Sequence, residues 1–128
     1  MNTQNITLLA NLIEALPPER FNMRFWATQV GNEAAMVTAA DLIHDCGTCA
    51  CIGGWAQALA TPPGERVDVR LGLTGDPTNA AAKWLGIDDD QHLIEQLFMP
   101  DLDWASITQA QAVATLRRLA ETGEVQWP

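Results

Sequence analysis

The chain has 128 residues, a length typical of one domain that can bury a sizeable hydrophobic core. Hydrophobic residues make up 48% of it, which excludes a wholly disordered protein. The net charge is −9, and residues 65–128 alone carry −6. Because such an acidic chain repels phosphate backbones, the sequence disfavours direct binding to nucleic acid and favours a protein partner with a basic surface.

The apolar stretches and the cysteines bear on cellular location. Residues 1–10 lack the basic start and apolar core of a secretory signal. The longest apolar stretch, residues 49–60, is too short to span a bilayer. The three cysteines are an odd number within six positions, so they do not form a disulfide framework. We therefore expect reduced thiols, no membrane contact and a cytoplasmic location, which for a phage-encoded protein is the host cytoplasm.

The first helix is predicted by the apolar residues of 6–16, which recur at helical spacing. Thr3 and Asn5 are its candidate N-caps, and Pro17 ends the pattern. The next segment, residues 19–30, alternates apolar and polar residues over part of its length, which suits an extended segment as well as a helical turn.

Two more helices are predicted around the cysteines. The alanine-rich residues 32–43 indicate one of them. Thr48 is expected to cap the next, since its hydroxyl can accept a hydrogen bond from an early backbone amide while residues 49–51 fill the first turn. That helix should run to about Ala60, and the glycine pair at 53–54 predicts that another element crosses it closely.

Residues 61–79 are the one long irregular stretch, because proline and glycine recur throughout them. Val67, Val69 and Leu71 alternate with polar residues there and predict a short strand. Long loops of this kind are often functional or mobile.

Three helices are predicted after this loop. The first starts at Thr78 and stops at Gly86 in a left-handed conformation. The second precedes Pro100, and the third begins with a capping box of Thr108 and Gln111. Gly123 should end the last helix and leave Trp127 free to dock back onto the body. The sequence as a whole predicts a single acidic domain over 1–128, all-α or mainly α, an irregular bundle of five or six short helices with room for one short strand pair or extended segment.

Reactive side chains concentrate in residues 44–51, which we call the cysteine segment. His44, Cys46, Cys49 and Cys51 are ligands of the types that bind zinc. Structural zinc sites normally join two separated ligand pairs, whereas these four residues come from one short stretch, and nothing in the sequence places His92 beside them. No metal site or cofactor is therefore assigned.

Redox chemistry is a second interpretation, because Cys46 and Cys49 have the C-x-x-C spacing ahead of a predicted helix N-terminus that would stabilise a thiolate. The motif indicates redox activity in a βαβ context, which this sequence does not predict. The favoured interpretation is structural: the cysteines are small buried side chains around a tight turn, and Ile52, Trp55 and Leu59 continue the packed face.

Five aspartates, which we call the aspartate group, are the candidate interaction residues. Three of them precede a predicted helix, where carboxylates are favoured, and they lack the ligand spacing of a calcium loop. No arrangement of nucleophile, base and acid identifies an active site, so no catalytic residue is assigned. The members of the group are Asp88, Asp89, Asp90, Asp101 and Asp103.

Several short motifs stand out between residue 21 and the end of the chain. They are Phe21-Asn22-Met23, Cys46-Gly47-Thr48, Cys51-Ile52-Gly53-Gly54-Trp55-Ala56 and Leu85-Gly86-Ile87. This combination resembles a group of small uncharacterised helical proteins of bacteria and their phages, whose recurring pattern is C-G-T-x-x-C-I-x-G-W, and residues 107–127 are similar as well. The resemblance implies a structural motif that includes Cys46 and Cys51, with Cys49 commonly replaced, and it implies no activity.

These observations lead to one main hypothesis, a small non-enzymatic protein-interaction module of bacterial or phage origin whose aspartate group meets a basic partner. A narrower alternative is a phage-type inhibitor that mimics nucleic acid against a host nuclease or defence complex. Another alternative is a thiol or zinc protein that uses the cysteine segment. In the simplest alternative, the charge of −9 only maintains solubility.

Overall fold

The structure, a computed structural model, describes residues 1–25, 27–29, 37–44, 47–66 and 79–128. These residues form six α-helices, two short β-strands and two 3-10 turns, which confirms the predicted mainly-α irregular bundle. The 3-10 turns are Pro18–Arg20 and Trp104–Ser106. The strands are β1 (Ala27–Gln29) and β2 (Thr48–Ala50). The helices are α1 (Thr3–Ala15), α2 (Ala39–His44), α3 (Ile52–Ala60), α4 (Asn79–Leu85), α5 (Gln91–Phe98) and α6 (Gln109–Thr122).

The first and last helices, α1 and α6, pack against each other. The side-chain amide of Gln109, at the start of α6, donates to the carbonyl oxygens of Ile13 and Leu16 at the end of α1. The Ile13 carbonyl also accepts from the amide of Leu16, at 3.2 Å. At the exposed edge of the same interface, Arg117 and Glu14 form an ion pair of 3.2 Å. The interface therefore joins the two ends of the chain by both apolar and polar contacts.

The caps of α6 match the prediction, whereas that of α1 does not. Thr108 and Gln111 form the predicted capping box, and Gly123 ends α6 with a φ of 77°. The N-cap of α1 is Asn2, whose side chain accepts from the amide of Asn5 at 3.0 Å. The predicted caps of this helix, Thr3 and Asn5, lie within its first turn because an asparagine one position upstream already satisfies an early amide.

The strand pair replaces the predicted start of the cysteine-bearing helix. We expected Thr48 to cap that helix, but β2 pairs antiparallel with β1, with Thr28 opposite Cys49. The helix begins only at Ile52, and its N-cap is Cys51, whose sulfur accepts from the amide of Gly54. The prediction was wrong because a strand 20 residues upstream, invisible to local capping rules, supplies backbone partners for residues 48–50.

The predicted helix over 32–43 is also shorter than expected. Within the described part of that range, Val37 and Thr38 precede α2, and Thr38 pairs with Arg66 in an isolated bridge. Thr38 and Asp41 cap α2 reciprocally: each side chain accepts from the other's backbone amide, at 3.1 and 3.2 Å. Residues 30–36, the predicted strand over 67–71 and the predicted helix start at Thr78 lie outside the described residues.

The end of α4 shows the predicted left-handed stop. Gly86 has a φ of 72°, its amide donates to the carbonyl of Lys83, and the amide of Ile87 donates to the carbonyl of Ala82, both at 3.0 Å. These two bonds form a Schellman motif, and the Ile87 side chain is buried beside it. The N-terminus of α1 approaches closely, since the Asn2 amide donates to the Leu85 carbonyl at 2.9 Å.

The hydrophobic core lies between α1, α3, α4, α5 and α6. Helix α3 runs through it: every residue from Ile52 to Ala58 is buried, including the glycine pair at 53–54. Trp55 is the largest side chain with no exposed surface. Apart from Gln57, α3 consists of apolar residues and glycines, and such a helix is covered by other elements of the fold on all sides.

Candidate functional site

The cysteine segment and the residues on either side of it contact a buried arginine. We call this group the Arg20 cluster, and its members are Arg20, Leu42, Thr48 and Trp55. The Arg20 guanidinium donates to the Thr48 carbonyl at 3.3 Å, to the Thr48 hydroxyl at 3.1 Å and to the Leu42 carbonyl. Its Cζ atom lies over the Trp55 ring, 5.2 Å from the ring centre, and the Trp55 indole N–H donates to the Arg20 carbonyl at 3.2 Å. The cation is thus bonded to backbone and hydroxyl oxygens and stacked on an aromatic face.

The hydroxyl group of Thr48 has a specific role in this cluster. It accepts from Arg20 and donates to the Leu42 carbonyl at 3.0 Å, so both of its hydrogen-bonding functions are used. The side chain is buried, where an unsatisfied hydroxyl would be costly. Because Leu42 lies in the last turn of α2, both Arg20 and Thr48 also satisfy a carbonyl that the helix leaves free.

Backbone hydrogen bonds join two of the motifs directly. Phe21 pairs with Ala50 in an isolated parallel bridge, and the amide of Asn22 donates to the Ala50 carbonyl at 3.0 Å. The amide of Cys51 donates to the Phe25 carbonyl at 2.8 Å. The segment around residues 21–25 therefore lies along β2 and the start of α3, which places the Phe-Asn-Met motif against the Cys-Ile-Gly-Gly-Trp motif.

Two cysteines of the segment, Cys49 and Cys51, are buried and form no disulfide, with 4% and 3% of their surface exposed. Burial raises the pKa of the Cys51 thiol from 9.0 to about 11, and it outweighs the opposing effect of backbone amides such as that of Gly54. The thiol of Cys51 is therefore protonated at neutral pH. A buried protonated thiol is neither a ready nucleophile nor a ready metal ligand, although this one sits at a helix N-terminus.

Of the remaining candidate metal ligands, the structure describes the two histidines. His44 is exposed at the end of α2, and His92 is exposed on α5. Cys46 lies outside the described residues. Within the described ranges, no three or more histidine, cysteine or acidic side chains are arranged to hold a metal ion.

All five members of the aspartate group are exposed, and they lie at the two ends of α5. Asp90 caps α5 by accepting from the amide of Leu93 at 3.1 Å. Asp103 caps the second 3-10 turn by accepting from the amide of Ala105 and the hydroxyl of Ser106. The two ends are about 12 Å apart along the helix axis, given its eight residues.

Two glutamates that the sequence analysis did not select extend this negative charge. Glu95 is exposed on α5 between the two ends, and Glu124 follows α6. Glu124 and Asp90 line one groove of about 430 Å³ between the start of α5 and the C-terminal segment. We call the aspartate group together with Glu95 and Glu124 the acidic surface.

The sequence around α5 contains no lysine or arginine that could neutralise the aspartate group and Glu95. Residues 84–116 contain six carboxylates and no lysine or arginine. Among the described residues, the ion pair within 4.0 Å is that between Glu14 and Arg117, on α1 and α6. This count of charges could have revealed Glu95 from the sequence alone, whereas the place of Glu124 depends on how the chain folds back after α6.

The C-terminal segment, residues 124–128, docks back onto the body through Trp127, as the sequence predicted. It lies beside α5. The Trp127 indole N–H donates to the Gln96 carbonyl at 2.9 Å. Val125 and Trp127 are partly buried, while the residues between and beside them are exposed. Trp127 also lines a second hollow, of about 150 Å³. It is lined by Leu102, Asp103, Ser106, Ile107, Gln111, Trp127 and Pro128.

Comparison of the chain with protein-family models, with curated proteins and with solved structures found no match. Among the described helices, none has both the length and the apolar character needed to cross a bilayer.

Proposed function

We propose that the protein is a non-enzymatic interaction module that binds the basic surface of a protein partner through its acidic surface. The observation that carries this proposal is the uncompensated charge around α5, where exposed carboxylates stand without a neighbouring lysine or arginine in the sequence. Charge of one sign on a limited surface steers oppositely charged partners and raises the rate of association.

The Arg20 cluster supports this choice indirectly. Its polar groups are directed at one another and at backbone carbonyls, so the most distinctive motif of the chain acts in folding. Cys49 and Cys51 are enclosed within the same region, and the pKa of Cys51 is raised. A function through the acidic surface requires no change in this buried part.

The proposal can be tested with two variants that remove the same number of charges. The first carries Asp88→Asn, Asp89→Asn and Asp101→Asn, three exposed positions in the acidic surface that cap no helix or turn of the described chain. The matched control replaces three exposed glutamates outside that surface by glutamine. These are Glu19, Glu65 and Glu121.

Both variants have a net charge of −6 instead of −9, so they differ only in where the charge is lost. The wild type and the two variants are immobilised on separate supports. Proteins that each support retains from a bacterial extract at low salt are identified by mass spectrometry. We expect basic proteins that the wild type and the glutamine control retain and the asparagine variant loses, and that high salt releases. Identical retention by all three proteins would refute the proposal.

A further inference from the structure

The hollow beside Trp127 offers an apolar wall next to a fixed negative charge. Leu102, Ile107 and Trp127 provide apolar surface. Leu102 is 49% exposed, one of the three large hydrophobic side chains that are exposed in the described chain. With about 150 Å³, the hollow is smaller than the pockets that hold drug-sized ligands and suits a single side chain.

Asp103 holds its carboxylate at the rim of this hollow. One oxygen accepts from the Ala105 amide at 3.2 Å, and the other accepts from the Ser106 hydroxyl at 2.8 Å. Its position is therefore fixed before any partner arrives, which lowers the entropic cost of binding. Asp101, two residues upstream, adds a second exposed carboxylate.

A hydrogen bond of Trp127 connects the hollow with the larger groove. Its indole group lines the hollow, while Gln96, which accepts the indole N–H, lines the groove with Asp90 and Glu124. A ligand that placed an apolar group in the hollow could thus meet carboxylates at both ends of the site. Charge complementarity selects a ligand with positive charge on each side of that group.

We infer that the hollow beside Trp127 receives an aliphatic side chain of a basic peptide segment, whose flanking lysines or arginines lie against Asp103 and Asp101 on one side and Asp90 and Glu124 on the other. This inference rests on the proposed function and names the binding site within it. Apolar burial supplies the selectivity, and the carboxylates supply the attraction.

The test uses two fluorescein-labelled synthetic peptides that differ at one position. Both have paired lysines on each side of a central residue, with glycine and serine elsewhere, and the central residue is leucine in one and serine in the other. We expect the wild-type protein to bind the leucine peptide roughly tenfold more tightly in fluorescence anisotropy at low salt, from burial of one leucine side chain.

Leu102→Ser removes an apolar wall, and Leu8→Ser is its matched control, since Leu8 is 50% exposed and lies on α1. We expect the control to keep the preference for the leucine peptide and Leu102→Ser to lose most of it, with unchanged circular dichroism in both. If Leu102→Ser keeps the full preference, the inference is wrong.

Other outcomes separate the two proposals. Equal, salt-sensitive binding of both peptides to the wild type would refute the site in the hollow and leave the proposed function standing. Binding of neither peptide at low salt would refute the proposed function itself. A dimer of the wild type in sedimentation that Leu102→Ser dissociates would identify a second copy as the occupant, which also contradicts the inference.

Discussion

The Arg20 cluster and the acidic surface place charged groups in opposite surroundings. Arg20 is buried, and its guanidinium is bonded to carbonyl and hydroxyl oxygens and stacked on Trp55. Asp88, Asp89 and Asp101 face solvent, and within the described chain they form no hydrogen bond or ion pair. Burial of a polar group requires partners that are held in place, so the first region stabilises the fold. Exposed charge contributes little to stability and is available to a partner.

Substitution of two tryptophans, one near each region, tests this difference most directly. Trp55→Ala should lower the free energy of unfolding by about 3–5 kcal/mol, because it opens a cavity in the core and removes the ring beneath Arg20. Trp127→Ala should cost much less, about 1 kcal/mol, since its ring is only partly buried although it too donates to a backbone carbonyl. Chemical denaturation of both variants measures the difference.

The relative size of the two losses of stability tests whether the two regions differ. Equal losses would mean that the C-terminal segment belongs to the same cooperative core as α3, and the division into a structural and a binding region would be wrong. If Trp55→Ala does not fold at all, retention of native circular dichroism by Trp127→Ala still distinguishes the two regions.

The link between the regions is Gly86, where the chain leaves α4 and enters the acidic surface. Its φ of 72° is unfavourable for L-residues, and an added Cβ would lie 2.6 Å from the backbone nitrogen of Asn2. Gly86→Ala should therefore cost about 3 kcal/mol, from the left-handed conformation and the displaced N-terminus together.

Two other glycines serve as controls for this prediction. Gly123 has a φ of 77° but meets only a methionine side-chain atom at 3.9 Å, so Gly123→Ala should cost about 1–2 kcal/mol. Gly64 has no neighbour within 4 Å, and Gly64→Ala should be nearly neutral. Thermal unfolding of the three variants should reproduce this order, and a neutral Gly86→Ala would contradict the close approach of α1.

Local signals in the sequence predicted some features of the fold correctly, although they missed the N-cap of α1. The stop at Gly86, the capping box of Thr108 with Gln111 and the docking of Trp127 each depend on neighbouring residues in the chain or on a single apolar anchor. The same rules misplaced Thr48, because its role depends on Arg20, 28 residues away. A buried arginine has no local signature, so its cluster was not predicted.

The acidic surface was predicted in part for the same reason. The aspartate group is contiguous enough in sequence to be recognised by its charge, and its exposure follows from ordinary solvation of carboxylates. Glu124 joins Asp90 only because the chain after α6 returns to α5, and the hollow next to Trp127 depends on the same return. Such long-range contacts are outside the reach of periodicity and capping rules.

The pH dependence of the free energy of unfolding tests the burial of Cys51. The pKa of its thiol is about 11 in the fold, against 9.0 ordinarily, so the unfolded chain loses this proton first as the pH rises. Below pH 9 the thiol is protonated in both states and does not change the stability. Between pH 9 and 11 the free energy of unfolding falls, by roughly 3 kcal/mol in total.

Cys51→Ser isolates this contribution, since serine keeps an N-cap acceptor and does not ionise in this range. The other groups that titrate at high pH are common to both proteins. The free energy of unfolding, measured in denaturant at several pH values, should fall more steeply for the wild type than for Cys51→Ser. Parallel curves would show that the Cys51 site is more accessible to water than its burial indicates.

The smallest expected effect on stability belongs to the acidic surface, and it completes the contrast. The triple variant Asp88→Asn, Asp89→Asn and Asp101→Asn should change the free energy of unfolding by no more than about 0.5 kcal/mol, because exposed charges without partners contribute little. Because the variant has less repulsion among carboxylates, we expect a small increase in the free energy of unfolding. This increase should be largest at low salt. A loss above about 2 kcal/mol would place these aspartates among the residues that hold the fold together, since substitutions at exposed positions rarely cost so much. An unchanged stability, in contrast, would mean that any change in binding by this variant reflects the surface itself and not a loss of folded protein.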